Sequence, residues 1–82
     1  MTRLTIGFRA REETAREIWV EPWGDMAELS EGTELTIEFE VVGDSHVSVE
    51  TKPGRLVVWA PAGARLLRIG DWVAPEGYPP AP

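Results

Sequence analysis

Residues 34–42, ELTIEFEVV, constrain this chain more than any other stretch. Leu35, Ile37, Phe39 and Val41 alternate with Glu34, Thr36, Glu38 and Glu40. A period of two sends successive side chains to opposite faces of a strand, so this segment needs one face buried and one in water. The pattern recurs in HVSVET, with Val47 and Val49 inward, and in LTIGF, with Leu4, Ile6 and Phe8 inward. Between the first two of these segments VGDS offers Gly43 and Asp44 as turn residues, and Pro53–Gly54 separates HVSVET from RLVVWAP. Residues 34–60 are therefore predicted to form a three-stranded antiparallel meander.

Further strands are expected at EIWVEPW, ended by Pro22, which cannot donate to a ladder, at MAEL, and in AGARLLRIGDW after Pro61. A turn at Ser30–Thr33 follows MAEL. The intervening RAREETARE has helix-forming residues but no large apolar side chain at helical spacing before Ile18. It reads as a long charged connection, with a one-turn helix as the alternative. About seven short strands with turn signals between them predict an all-β domain over residues 1–74, a small antiparallel sandwich or flattened barrel. The chain then closes on APEGYPPAP, four prolines in nine residues, so residues 75–82 are expected to form an extended, flexible tail.

With 82 residues and no cysteine, such a domain rests on packing alone, without disulfides or thiolate metal sites. A chain of this size buries only about 60–65 % of its unfolded surface, and its net stability is roughly 4–12 kcal/mol. The bias against Asn and Gln, both absent, and the seven arginines to one lysine suit a high-GC bacterial genome. No apolar run near the N-terminus reads as a secretory signal and no stretch is long enough for a membrane helix, so a cytoplasmic location is expected.

The net charge of −6 argues against nucleic acid or anionic lipid as partners. The charges are also blocked along the chain. Residues 17–50 carry ten acids and no Lys or Arg, while Arg3, Arg9, Arg11 and Arg16 precede them and Lys52, Arg55, Arg65 and Arg68 follow. Two readings are open. Acidic strands can pair beside basic ones within a sheet, or the acids can form a docking face for a basic partner.

Catalysis finds little support. A nucleophile needs a base within reach that is itself oriented by a third group, and His46 is the only histidine, with Ser45 and Ser48 nearby. One histidine beside Asp44 and Glu50 is a poor zinc set. Glu38 and Glu40 lie about 7 Å apart along a strand, a glycosidase-like distance, but glycoside hydrolysis also needs a cleft. We expect no enzyme activity, no cofactor and no metal.

The four tryptophans, Trp19, Trp23, Trp59 and Trp72, are the most unusual feature. They can serve the core, anchor a protein partner, or stack on sugars. Two of them frame VEPWGD, residues 20–25. Strand parity sends Ile18 and Val20 inward and places Trp19 and Trp23 on the opposite face, with Pro22 and Gly24 making a corner from which Trp23 folds over the end of the sandwich as a plug. A strand ending in Glu21-Pro22-Trp23-Gly24, then MAEL, a Gly turn, ELTIEFE and the late VVWAPAG resembles a group of small uncharacterised bacterial β-proteins with an E-P-W-G motif. Those proteins carry Pro-Gly at the turn where this chain has Glu31–Gly32. The resemblance spans residues 17–70 and implies a related fold without an activity. The expected function is a non-catalytic interaction module. An acidic strand face (Glu34, Glu38, Glu40, with Glu50 beside it) and a Trp patch (Trp19, Trp23) would bind a protein partner or a second copy. The alternative is small-ligand or carbohydrate binding on an aromatic platform.

Overall fold

In a computed structural model of the chain, which describes residues 1–10, 16–30 and 32–82, the alternating segments become eight strands. These are β1 (Thr2–Arg9), β2 (Arg16–Glu21), β3 (Asp25–Leu29), β4 (Glu34–Val41), β5 (Ser48–Lys52), β6 (Arg55–Trp59), β7 (Arg65–Ile69) and β8 (Trp72–Val73). They form two four-stranded sheets, ordered β1-β4-β7-β8 and β3-β2-β6-β5. The architecture is an open sandwich, not a closed barrel. Of the charged connection expected over RAREETARE, Arg9 and Arg16–Glu17 belong to β1 and β2; its residues 11–15, and Glu31 of the Gly turn, lie outside the described residues.

Alternation decides what faces inward. From the first sheet come Ile37, Phe39, Val41, Leu66 and Ile69; from the second come Ile18, Val20, Leu29 and Val58, all buried. Leu4, Ile6 and Phe8 of β1 pack against this cluster and are half-buried, as befits an edge strand.

Two expectations of topology need correction. The predicted meander over 34–60 does not form: β4 pairs with β1 and β7, while β5 pairs with β6 in the other sheet. Residues 42–47 are therefore a crossing between sheets, turned by the Ser45 amide, which donates to the Val42 carbonyl at 3.1 Å. Only the second half of the meander, the β5–β6 hairpin at Pro53–Gly54, is present, with Gly54 at φ 76° where a side chain would be strained. Val49, expected inward, is 49 % exposed on this edge strand. The sheets are also not wholly antiparallel, because β2 runs parallel to β6, with Trp19 opposite Val57 and Glu21 opposite Trp59.

The Pro-rich C-terminal segment, expected to be an extended, flexible tail, instead turns at Glu76–Gly77, where the Tyr78 amide donates to the Pro75 carbonyl at 3.1 Å, and it does not leave the domain. The Ala81 amide donates to the Ala64 carbonyl and the Gly63 amide to the Ala81 carbonyl, both at 2.8 Å, and Ala81 is 4 % exposed within the core cluster. Proline bars residues 79, 80 and 82 from a continuous ladder, yet one Ala between prolines keeps both of its backbone bonds. The tail closes one end of the sandwich.

Candidate functional site

The corner after β2 receives this tail. The Gly24 amide donates to the Val20 carbonyl at 3.0 Å, closing the turn over a cis Glu21–Pro22 bond. Trp23 then swings over the end of the sandwich. Its ring stacks on Phe39 at 6.2 Å between centroids, and its indole N–H donates to the Pro79 carbonyl at 2.7 Å. Next door, the Tyr78 hydroxyl donates to the Asp25 carboxylate, and Tyr78 meets the edge of Trp72 at 5.4 Å. That hydrogen bond to Asp25 is the main reason the Tyr78 hydroxyl is pushed up to about 12, with desolvation and the Asp25 charge adding to it.

This geometry separates the five residues expected to form one surface. Trp23 lies at the end of the sandwich, half-buried, and Trp19 lies on the outer face of the second sheet, so the two make no patch. Strand parity holds only to Glu21, the last residue of β2; beyond it the turn reorients Trp23. Glu34, Glu38 and Glu40 do share a face, the outer face of the first sheet, but they do not stand alone there. In register, Glu40 sits between Arg3 and Arg65, Glu38 between Thr5 and Arg68, and Glu34 opposite Arg9, which it pairs at 3.0 Å. The basic–acidic–basic order of the chain thus becomes a basic–acidic–basic order of strands. Glu50 belongs to the other sheet, opposite Val57.

A β-bulge produces this arrangement on β7. Glu38 faces Arg68 while Phe39 faces Leu66, leaving Leu67 as an extra residue. Strict alternation from Arg65 would aim Arg68 at the core. The inserted residue returns it to the outer face, and the Leu67 carbonyl accepts from the Ala74 amide at 2.9 Å.

The outer face of the second sheet is different in kind. Val57 is 5 % exposed, yet it is not part of the inner core cluster. It points to the solvent side and is covered there by Trp19 and Trp59, which line a groove of about 300 Å³ with Val57, Glu21, Lys52 and Arg55. The Arg55 guanidinium lies 5.8 Å from the Trp19 ring centre, and the Trp19 indole N–H donates to Glu17 at 3.0 Å. Met26, opposite Trp19 in register, carries the apolar stripe onto β3. Met26 and Trp59 are each 44 % exposed. Among the described residues, Glu17, Glu21, Glu28 and Glu50 stand around the stripe with Lys52 and Arg55; Glu17 is opposite Arg55 in register, and Glu50 pairs with Lys52 at 3.7 Å.

Trp59 and Val57 were missed from the sequence as site residues. Their signal was present in RLVVW, where Leu56 to Trp59 are apolar at every position, the mark of a strand covered on both faces. Among the described residues, no three His, Asp or Glu side chains gather to hold a metal ion, and His46 is exposed in the crossing between sheets. No helix among them is long and apolar enough to cross a membrane. No family model, curated protein or solved structure matches the chain.

Proposed function

We propose that this chain is a non-catalytic interaction module that docks a basic segment of a protein partner on the outer face of its second sheet. The observation that carries the reading is Val57, a core-type residue buried on the solvent side of a sheet by two tryptophans. Trp19 and Trp59, with Met26 beside them, are anchors of the kind that dominate binding energy at interfaces. The four glutamates around them supply the charge that selects a basic partner and speeds its approach. Glu17 and Glu28 stand directly opposite each other, a like-charge pair that costs stability in a sheet and that a basic partner would relieve. Glu34, Glu38 and Glu40 take no part, since they lie on the outer face of the first sheet, where each has an arginine opposite it and none has an exposed tryptophan as a register neighbour.

The test is affinity capture on wild-type protein at low ionic strength, identification of what is retained, and titration of that purified protein. Trp59→Ala is expected to weaken binding by about thirtyfold, the effect of roughly 2 kcal/mol at a central anchor, and salt is expected to weaken it further. Equal affinity of the Trp19→Ala/Trp59→Ala variant, shown by NMR to be folded, would sink the reading. A second reading rests on the exposed ring of Trp59 between Glu21 and Ser48, its neighbours on the two flanking strands, since an aromatic face beside polar groups is also how a sugar is held. Saturable quenching of tryptophan fluorescence by an oligosaccharide, lost in Trp59→Ala, would favour it.

A further inference from the structure

A second groove, larger than the one between the tryptophans, lies on the other face and owes nothing to them. It measures about 540 Å³ and runs along the outer face of the first sheet, where β7 and β8 meet the C-terminal segment. Arg3, Arg65 and Arg68 line it, with Glu38 on its floor and Ala74–Tyr78 as one wall. We infer that this groove is a binding site for a small oxyanion, a ligand whose phosphate or carboxylate group is gripped by Arg65 and Arg68.

Three observations lead there. The bulge at Leu67 is what brings two arginines only three positions apart onto one face, and bulges serve to re-aim side chains at sites. Among the described residues, the ion pairs are Arg9–Glu34 and Lys52–Glu50. The guanidiniums of Arg3, Arg65 and Arg68 have Glu40 and Glu38 as register neighbours, but among the described residues no carboxylate lies at ion-pair distance from them, which leaves their donor forks to a ligand. A guanidinium fork matches the two oxygens of a phosphate or carboxylate, where a lysine offers only a point charge. The size also falls within the range of small-ligand sites. In a chain of net charge −6, this lining holds three cations against Glu38 and Glu76. Glu38 sits beside Arg68 and tempers the field. It therefore opposes a bare anion and favours a ligand that brings hydroxyl donors along with its oxyanion.

The inference is independent of the function proposed for the second sheet, and its test is separate. Inorganic phosphate is titrated into wild-type protein against chloride at matched ionic strength, read by ¹H–¹⁵N NMR. Saturable shifts in the millimolar range are expected at the amides of residues 65–68 and 74–78. Arg65→Gln/Arg68→Gln is expected to weaken binding at least tenfold, and Arg9→Gln, on the same face but outside the groove, to leave it unchanged. Glu38→Gln is expected to tighten phosphate binding several-fold. Should the double variant fold poorly, Arg68→Lys keeps the charge, removes the fork, and is expected to weaken binding several-fold. Shifts that do not saturate at tens of millimolar, that follow Arg9 equally, or that survive Arg65→Gln/Arg68→Gln or Arg68→Lys unchanged overturn the inference.

Discussion

The two outer faces of this sandwich start from the same alternation and end in opposite places. On the first sheet, every outward glutamate of β4 has an arginine as a cross-strand neighbour, and none has an aromatic residue as its register partner. On the second sheet, two tryptophans lie across parallel strands over a buried valine, and Glu17, which has Arg55 opposite it on β6, faces a second glutamate, Glu28, on β3. One face is arranged for the stability of the sheet. The other gives up some of that stability, keeping apolar area in water and like charges adjacent. Local violations of this kind, in a chain that elsewhere obeys its own rules, are expected at functional or strained sites, and they are the ground for the proposed docking face.

Val57 measures the difference most directly. An outward residue at mid-strand normally tolerates truncation, but this one sits beneath two indoles. Val57→Ala is expected to cost about 2 kcal/mol in urea unfolding, the transfer of two buried carbons plus part of a cavity. Thr5→Ala, outward and exposed on β1, is expected to stay within about 0.5 kcal/mol. Equal costs would show that the tryptophans do not seal the valine and would remove the contrast between the faces.

The C-terminal segment sharpens the contrast in another way, because it walls the arginine groove and does not line the tryptophan groove. Tyr78 is the sole tyrosine, so its phenolate absorbance reports this attachment cleanly. It is expected to titrate near pH 12 instead of the ordinary 10. A group whose folded value is raised contributes its full stability below the unfolded value and loses it as pH climbs to the folded one. The Tyr78 contribution is thus complete below pH 10 and fades between 10 and 12. Tyr78→Phe should remove about 1 kcal/mol at neutral pH and flatten that alkaline slope. Titration at the ordinary value would mean that Asp25 does not hold the hydroxyl.

How much of this the residues announce depends on the range of the force involved. The alternation in β4 and β1 is local and reads directly as strands with one wet face. The arginine and glutamate blocks suggested cross-strand pairing, and register delivers it. Sheet membership is not local: ELTIEFEVV looks the same whether its neighbour is β5 or β7, and the turn residues of VGDS serve a crossing as well as a hairpin. The bulge at Leu67 is likewise invisible until Glu38 and Phe39 choose their partners. Composition misled at the tail. Prolines exclude a regular ladder there, but Ala81 shows that they do not exclude packing. For Trp23 the corner at Pro22 and Gly24 reads correctly as a plug over the end of the sandwich, whereas parity gives it the face of Trp19 only if the strand runs past Glu21, where it ends.

The smallest effect separates the faces by sign. Glu28 faces Glu17 across β2 and β3, so Glu28→Lys turns a repulsive cross-strand pair into an attractive one. We expect a gain of about 0.5 kcal/mol. Glu38 faces Arg68 across β4 and β7, so Glu38→Lys makes the reverse change and should lose about the same. Both shifts should shrink as salt is raised, because all four groups reach solvent. Substitutions of one type, in the same fold, would then stabilise one sheet and destabilise the other. Stabilisation by Glu28→Lys also carries a consequence for function. If the acid is kept at the expense of the sheet, the stabilised variant should bind the basic partner less well, with the loss in the association rate. Destabilisation by both substitutions would mean that Glu28 has a favourable contact of its own in the free protein. The acidic rim would then be part of the sheet's own stability, as the glutamates of β4 are, and no longer a sign of a docking face.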